Sequence, residues 1–183
     1  MERADMQSSK RSEQGFWRAD RKRYEARAWL TQPSYWAVMV YRFGRWTKTA
    51  HHPFRFPAHA AYYLAYSVVR LATGIDIPRG VTCGPGLLIH HFGGIIVNPS
   101  STIGSNLTLR QGVTIGTKQD HGPVPVIGDD VIVGAYAQIL GAVRVGDGSV
   151  IGAMSVVLTD VAAGSVVAGI PARLLRKKGG NPE

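Results

Sequence analysis

The chain has 183 residues, 45% of them hydrophobic, which is enough for one well-filled core. Its formal charge is +9, and from Arg27 to Lys118 nine Lys and Arg face a single carboxylate, Asp76. These bases share no periodic face and no aromatic-plus-basic RNA motif accompanies them. The balance therefore points away from nucleic acid and toward anionic small ligands or an acidic membrane surface.

The first fifteen residues, MERADMQSSKRSEQG, are polar and charged. They are expected to be a disordered tail, and they contain no apolar stretch of the secretory-signal type. Residues 16–31 read as a charged helix that Pro33 ends. Tyr35–Lys48 reads as a second helix with an aromatic face. Pro53 and Pro57 break the chain again, and Ala58–Thr73 forms a third helical stretch. The uncharged run from Phe56 to Val69 is shorter than the ~20 residues a spanning helix needs. With Arg55 and Arg70 at its flanks it suits a membrane interface, or packing on the rest of the protein or a partner subunit. The helical N-terminal segment thus covers 16–74.

From residue 75 the pattern changes. Val97, Ile103, Leu109 and Ile115 are six apart, as are Ile127, Val133, Ile139, Val145, Ile151 and Val157. A glycine follows six of them. A fixed six-residue period is no multiple of 3.6, which excludes a helix and marks a parallel β-helix over 75–172. The branched residue points inward, and stability comes from stacking one coil on the next. Two departures from the period stand out. From Ile115 to Ile127 the step is twelve, so 117–126 is a loop, with His121 in the missing aliphatic position. From Ile89 to Val97 the step is eight, a bulge carrying His90, His91, Phe92, Gly93 and Gly94. Cys83 keeps the inward register and reads as a core residue. As the only cysteine it excludes an internal disulfide, which agrees with a reducing cytosol. Residues 173–183 form a basic C-terminal tail.

Asp76 lies fifteen residues before His91. A lone acid, a histidine and a hexapeptide array point to a transferase that deprotonates a hydroxyl. Neutral imidazole is available near pH 7, and a carboxylate on its other nitrogen fixes the tautomer and stabilises the imidazolium. No metal is expected, because the adjacent His90 and His91 on a strand point to opposite faces.

From Asp76-Ile77-Pro78 through His91, Gly94-Ile95-Ile96-Val97, Gln111-Gly112-Val113-Thr114-Ile115-Gly116 and Gly169-Ile170-Pro171-Ala172-Arg173, the chain resembles the serine acetyltransferase branch of the hexapeptide-repeat acyltransferases. Tyr41-Arg42-Phe43-Gly44-Arg45-Trp46 also resembles that branch. The resemblance covers roughly residues 35–176. It implies a left-handed β-helix, a homotrimer, and direct transfer of acetyl from acetyl-CoA without a covalent intermediate. His91 and Asp76 match the branch's catalytic dyad. Gly116-Thr117, Gly134-Ala135 and Gly152-Ala153 match positions lining the pantetheine groove. Arg173, Arg176 and Lys177 are candidates for the CoA phosphates.

Departures from the branch bear on the acceptor. Serine acetyltransferases carry an aspartate before the catalytic histidine; here it is His90. They carry an Arg-His pair before their Pro-x-Ile; here Pro123-Val124 stand there. An amino-acid zwitterion loses partners for both its charges, with His121 the one nearby candidate to compensate. The expected acceptor is therefore a sugar hydroxyl, as in the serine-acetyltransferase-like enzymes of exopolysaccharide and colanic-acid-type pathways, with His90 and His121 binding it. The expected location is the cytoplasm, at the inner membrane face if the glycan is lipid-linked. Serine O-acetylation for cysteine biosynthesis is the alternative enzyme, and a non-catalytic β-helix scaffold the alternative of another class.

Overall fold

The computed structural model describes residues 15–49 and 55–177. Residues 15–22 form helix α1, followed by α2 (Ala28–Thr31), α3 (Pro33–Thr47) and α4 (Arg55–Thr73). The expected helix over 16–31 is therefore two pieces with a turn between them. Pro33 starts α3 rather than ending its predecessor. Pro57 does not break the chain but sits in the first turn of α4, where its missing N–H costs nothing. The expected disordered tail falls, up to residue 14, outside the described residues, as does Pro53.

Fifteen short strands follow among the described residues, in three sheets. The first sheet stacks β1 (Ile75–Asp76), β4 (Ile95–Val97), β7 (Thr114–Gly116), β10 (Gln138–Leu140) and β13 (Val156–Val157). The second stacks β2 (Thr82–Cys83), β5 (Thr102–Ile103), β8 (Val126–Ile127) and β11 (Arg144–Val145). The third stacks β3 (Leu88–Ile89), β6 (Thr108–Leu109), β9 (Ile132–Val133), β12 (Val150–Ile151), β14 (Ser165–Gly169) and β15 (Ala172–Lys177). Every pairing is parallel except β14 with β15. The whole is a left-handed parallel β-helix. Residues 172–177, read above largely as the start of a basic tail, form that reversed strand.

All ten six-spaced aliphatics are buried. A second buried column lies two residues before each, made of Ile95, Leu107, Val113, Pro125, Val131, Ala137 and Val143 together with the serines Ser101, Ser149 and Ser155. Cys83 is in the core, and burial pushes its thiol up to about 12, so it packs as a small hydrophobe. Ile96 pairs with Thr114 at the regular eighteen-residue spacing. Asp76 pairs with Ile96 across a coil longer by the two residues of the bulge, and Ile115 with Ile139 across one longer by the six of the loop.

The helices close the first coil by hydrogen-bonding its backbone. The Tyr41 hydroxyl donates to the Val81 carbonyl at 2.9 Å, and Ser34 to the Ile89 carbonyl at 2.8 Å. The Ile89 amide donates to the Tyr24 hydroxyl at 3.0 Å. At the centre Arg42 donates to the carbonyls of Cys83 (2.8 Å) and Gly84 (2.6 Å). It also pairs with Asp20 at 2.6 Å, both side chains being 0% exposed. Asp20 in turn accepts from the amides of Gly86 (2.7 Å) and Leu87 (2.8 Å). This pair therefore carries the hydrogen bonds that make a buried ion pair tolerable.

Gly44 lets α4 approach α3, since a Cβ there would lie 2.3 Å from the Tyr62 ring. Gly→Ala inside a helix ordinarily stabilises by about 1 kcal/mol. At Gly44 the sign is expected to reverse, with urea denaturation showing a loss of about 1–3 kcal/mol from overpacking.

Candidate active site

The bulge at His90–Gly94 is seated between neighbouring coils. Gly74 and Gly94 both adopt φ +65°, and a Cβ on Gly74 would lie 3.1 Å from the Gly94 amide. Ile95 donates to the Gly74 carbonyl at 3.1 Å, and Gly112 to the Gly93 carbonyl at 2.8 Å. Left-handed backbone at two touching corners suits glycine. The corner that carries His91 is thus pressed against the corner from which β1 and Asp76 emerge.

His90 and His91 are both exposed, with ring centroids 6.5 Å apart. Partial burial lowers the His90 pKa, and Arg110, His91 and Arg23 lower it further. His90 is therefore held neutral in cationic surroundings.

Asp76 is half-buried and engaged from α4. Tyr66 donates its hydroxyl to Asp76 Oδ1, and Arg70 Nη1 lies 3.5 Å from Oδ2. The Arg70 guanidinium also lies over the Tyr66 ring, 5.7 Å from its centroid. Burial, reinforced by the Asp76 carboxylate, raises the phenol pKa well above its usual value, so Tyr66 stays a donor. Among the described residues no hydrogen bond or ion pair joins Asp76 to His91. Sequence reasoning missed Tyr66 and Arg70. Their i, i+4 spacing on the turns of α4 just before Asp76 was the available signal.

Asp76 and Tyr66 line an open cleft of about 480 Å³ together with Ile96, Asn98, Thr114, Gly116 and Thr117. Asp76, Ile96, Thr114 and Gln138 stand in register as one row along the first sheet. A Cβ on Gly116 would meet nothing within 4 Å, so this glycine leaves space rather than permitting a contact.

The other cofactor candidates lie elsewhere. Gly134-Ala135 and Gly152-Ala153 follow β9 and β12, one coil apart at the same corner. A Cβ on Gly134 would be 2.5 Å from the Ala153 amide, so coil stacking alone requires that glycine. Arg173 and Lys177 line a second cleft of about 260 Å³ with Thr159 and Asp160, and Arg176 is exposed beside them on β15. His121 is exposed at φ +58° in the loop between Gly116 and Val126. No group of His, Cys, Asp and Glu suited to a metal occurs among the described residues.

A bacterial transferase hexapeptide (six repeats) model matches residues 125–159. The serine acetyltransferase of Helicobacter pylori (strain ATCC 700392 / 26695) is 38% identical over 153 residues, which cover 81% of this chain and 84% of that one. The chain belongs to the serine acetyltransferase family of hexapeptide-repeat transferases. The Bacillus subtilis (strain 168) serine acetyltransferase is 43% identical over 123 residues, and the match spans 57% of that protein's length. The structure of serine acetyltransferase from Brucella abortus strain S19 in complex with coenzyme A superposes with a TM-score of 0.80. It is 26% identical and covers 96% of this chain and 72% of that one. The resemblance read from the motifs is thereby established. The names of these relatives favour the serine enzyme, set second above, over the sugar enzyme set first.

Proposed function

We propose that the chain is an acetyl-CoA-dependent O-acetyltransferase in which His91 is the general base. As the acceptor oxygen attacks the thioester carbonyl, His91 takes the hydroxyl proton. The C–S bond then breaks, and the proton passes to the departing thiolate. The observation that carries this reading is the Gly74–Gly94 contact, which sets the His91 corner against the strand of the family's matching acid, Asp76. Tyr66 holds that acid by one oxygen. Tyr66→Phe is expected to lower kcat about tenfold with an unchanged KM for acetyl-CoA, read in steady-state kinetics. Gly116-Thr117 and the corner of Gly134 and Gly152 are the proposed pantetheine supports, with Arg173, Arg176 and Lys177 toward the phosphates. The assembled form is proposed to be a homotrimer in the cytosol.

Kinship favours L-serine as the acceptor. A second reading, a sugar hydroxyl, has its own support: His90 is a neutral residue beside His91, and its charged neighbours Arg110 and Arg23 are both cations. The His90 position thus offers a serine ammonium no carboxylate. A thiol assay of CoA release decides between them, comparing L-serine with hexoses and glycan repeat units and using His91→Ala as control. Serine-dependent release establishes the serine enzyme. Sugar-dependent release with none from serine establishes glycan acetylation. Absence of release with every acceptor, in a folded protein that does not bind acetyl-CoA, returns the chain to a scaffold.

A further inference from the structure

Helix α4 turns Tyr62, Tyr66 and Val69 inward, and its outer side is expected to be polar, as on any surface helix. Instead Phe56, Leu64, Val68 and Leu71 stand 82%, 70%, 57% and 83% exposed. Their spacing puts them on one stripe. Arg55 is exposed near one end, Arg70 lies near the other, half-exposed beside its partner Asp76, and the sequence holds no carboxylate between Glu25 and Asp76. A second copy of α4 would bring only more arginine to those ends, whereas anionic lipid brings phosphates to the arginines and hydrocarbon to the stripe. No described helix is long and apolar enough to cross a membrane, so α4 would lie along the surface. We propose that the outer face of α4 is a docking surface for an anionic lipid bilayer.

The test is flotation of the full chain with vesicles of phosphatidylcholine alone or mixed equally with phosphatidylglycerol. The protein is expected to float with the mixed vesicles, to be released by salt, and to stay behind with the neutral ones. The double variant Leu64→Asp/Leu71→Asp is expected to partition about a hundredfold more weakly, with an unchanged thermal melt. Absence of wild-type flotation overturns the proposal, as does equal flotation of the variant. A variant that loses subunits in sedimentation assigns the stripe to contact between copies, and that too overturns it. No acceptor enters the assay, so its outcome is independent of the catalytic reading.

Discussion

Replacing His91 with alanine is expected to lower turnover by about 10²–10⁴, the range a single general base supplies. The residue is exposed at a corner whose shape is set by Gly93, Gly94 and their backbone partners, not by its ring. The melt, the subunit assembly and acetyl-CoA binding should therefore be those of the native chain, and the loss should fall on kcat. Asp76→Asn should cost less, because the proton acceptor remains and only its orientation and charge support are removed. Steady-state kinetics beside isothermal titration with acetyl-CoA read both. A His91→Ala protein with native turnover ends the general-base assignment. One that unfolds shows the residue to be structural.

The second large effect concerns stability. Arg42→Met removes the guanidinium and leaves the Asp20 carboxylate buried with only the Gly86 and Leu87 amides to solvate it. It also orphans the Cys83 and Gly84 carbonyls. An unpaired buried charge costs about 3–5 kcal/mol, so the urea midpoint should drop accordingly. Adding Asp20→Asn should recover part of the loss, since the charge left without a partner is then gone. Arg18→Met, on the helix of Asp20 but exposed, should change stability by about 0.5 kcal/mol or less. If Arg42→Met behaves like Arg18→Met, the pair does not hold the helices to the first coil.

The β-helix was legible because its signal repeats. Each of the ten aliphatics was buried where the period put it, and the two breaks in period became the bulge and the loop. The second inward column was less visible, because Ser101, Ser149 and Ser155 read as turn residues although a small side chain is what fits there. The helical segment yielded less. Asp20 stands among Arg18, Arg21, Lys22 and Arg23 and looks like one more solvated charge, and only the fold brings Arg42 to it. In the site, the spacing of Asp76 and His91 was visible in the chain. Tyr66 and Arg70 were marked only by their i, i+4 spacing, since their relation to Asp76 depends on α4 folding back over β1.

The two ends of the coil stack differ from its middle in a way that limits what the protein can become. A parallel solenoid is open to indefinite extension, since each finished coil is a template for another chain's first. Here β15 turns back antiparallel at one end. At the other, Arg42, Tyr41 and Ser34 already occupy the carbonyls that an incoming strand would need. The closure that fixes the helical segment in place thus also keeps the molecule finite, and a chain cut to begin at Ile75 should bare the first-coil carbonyls to pairing while β15 still closes the other end.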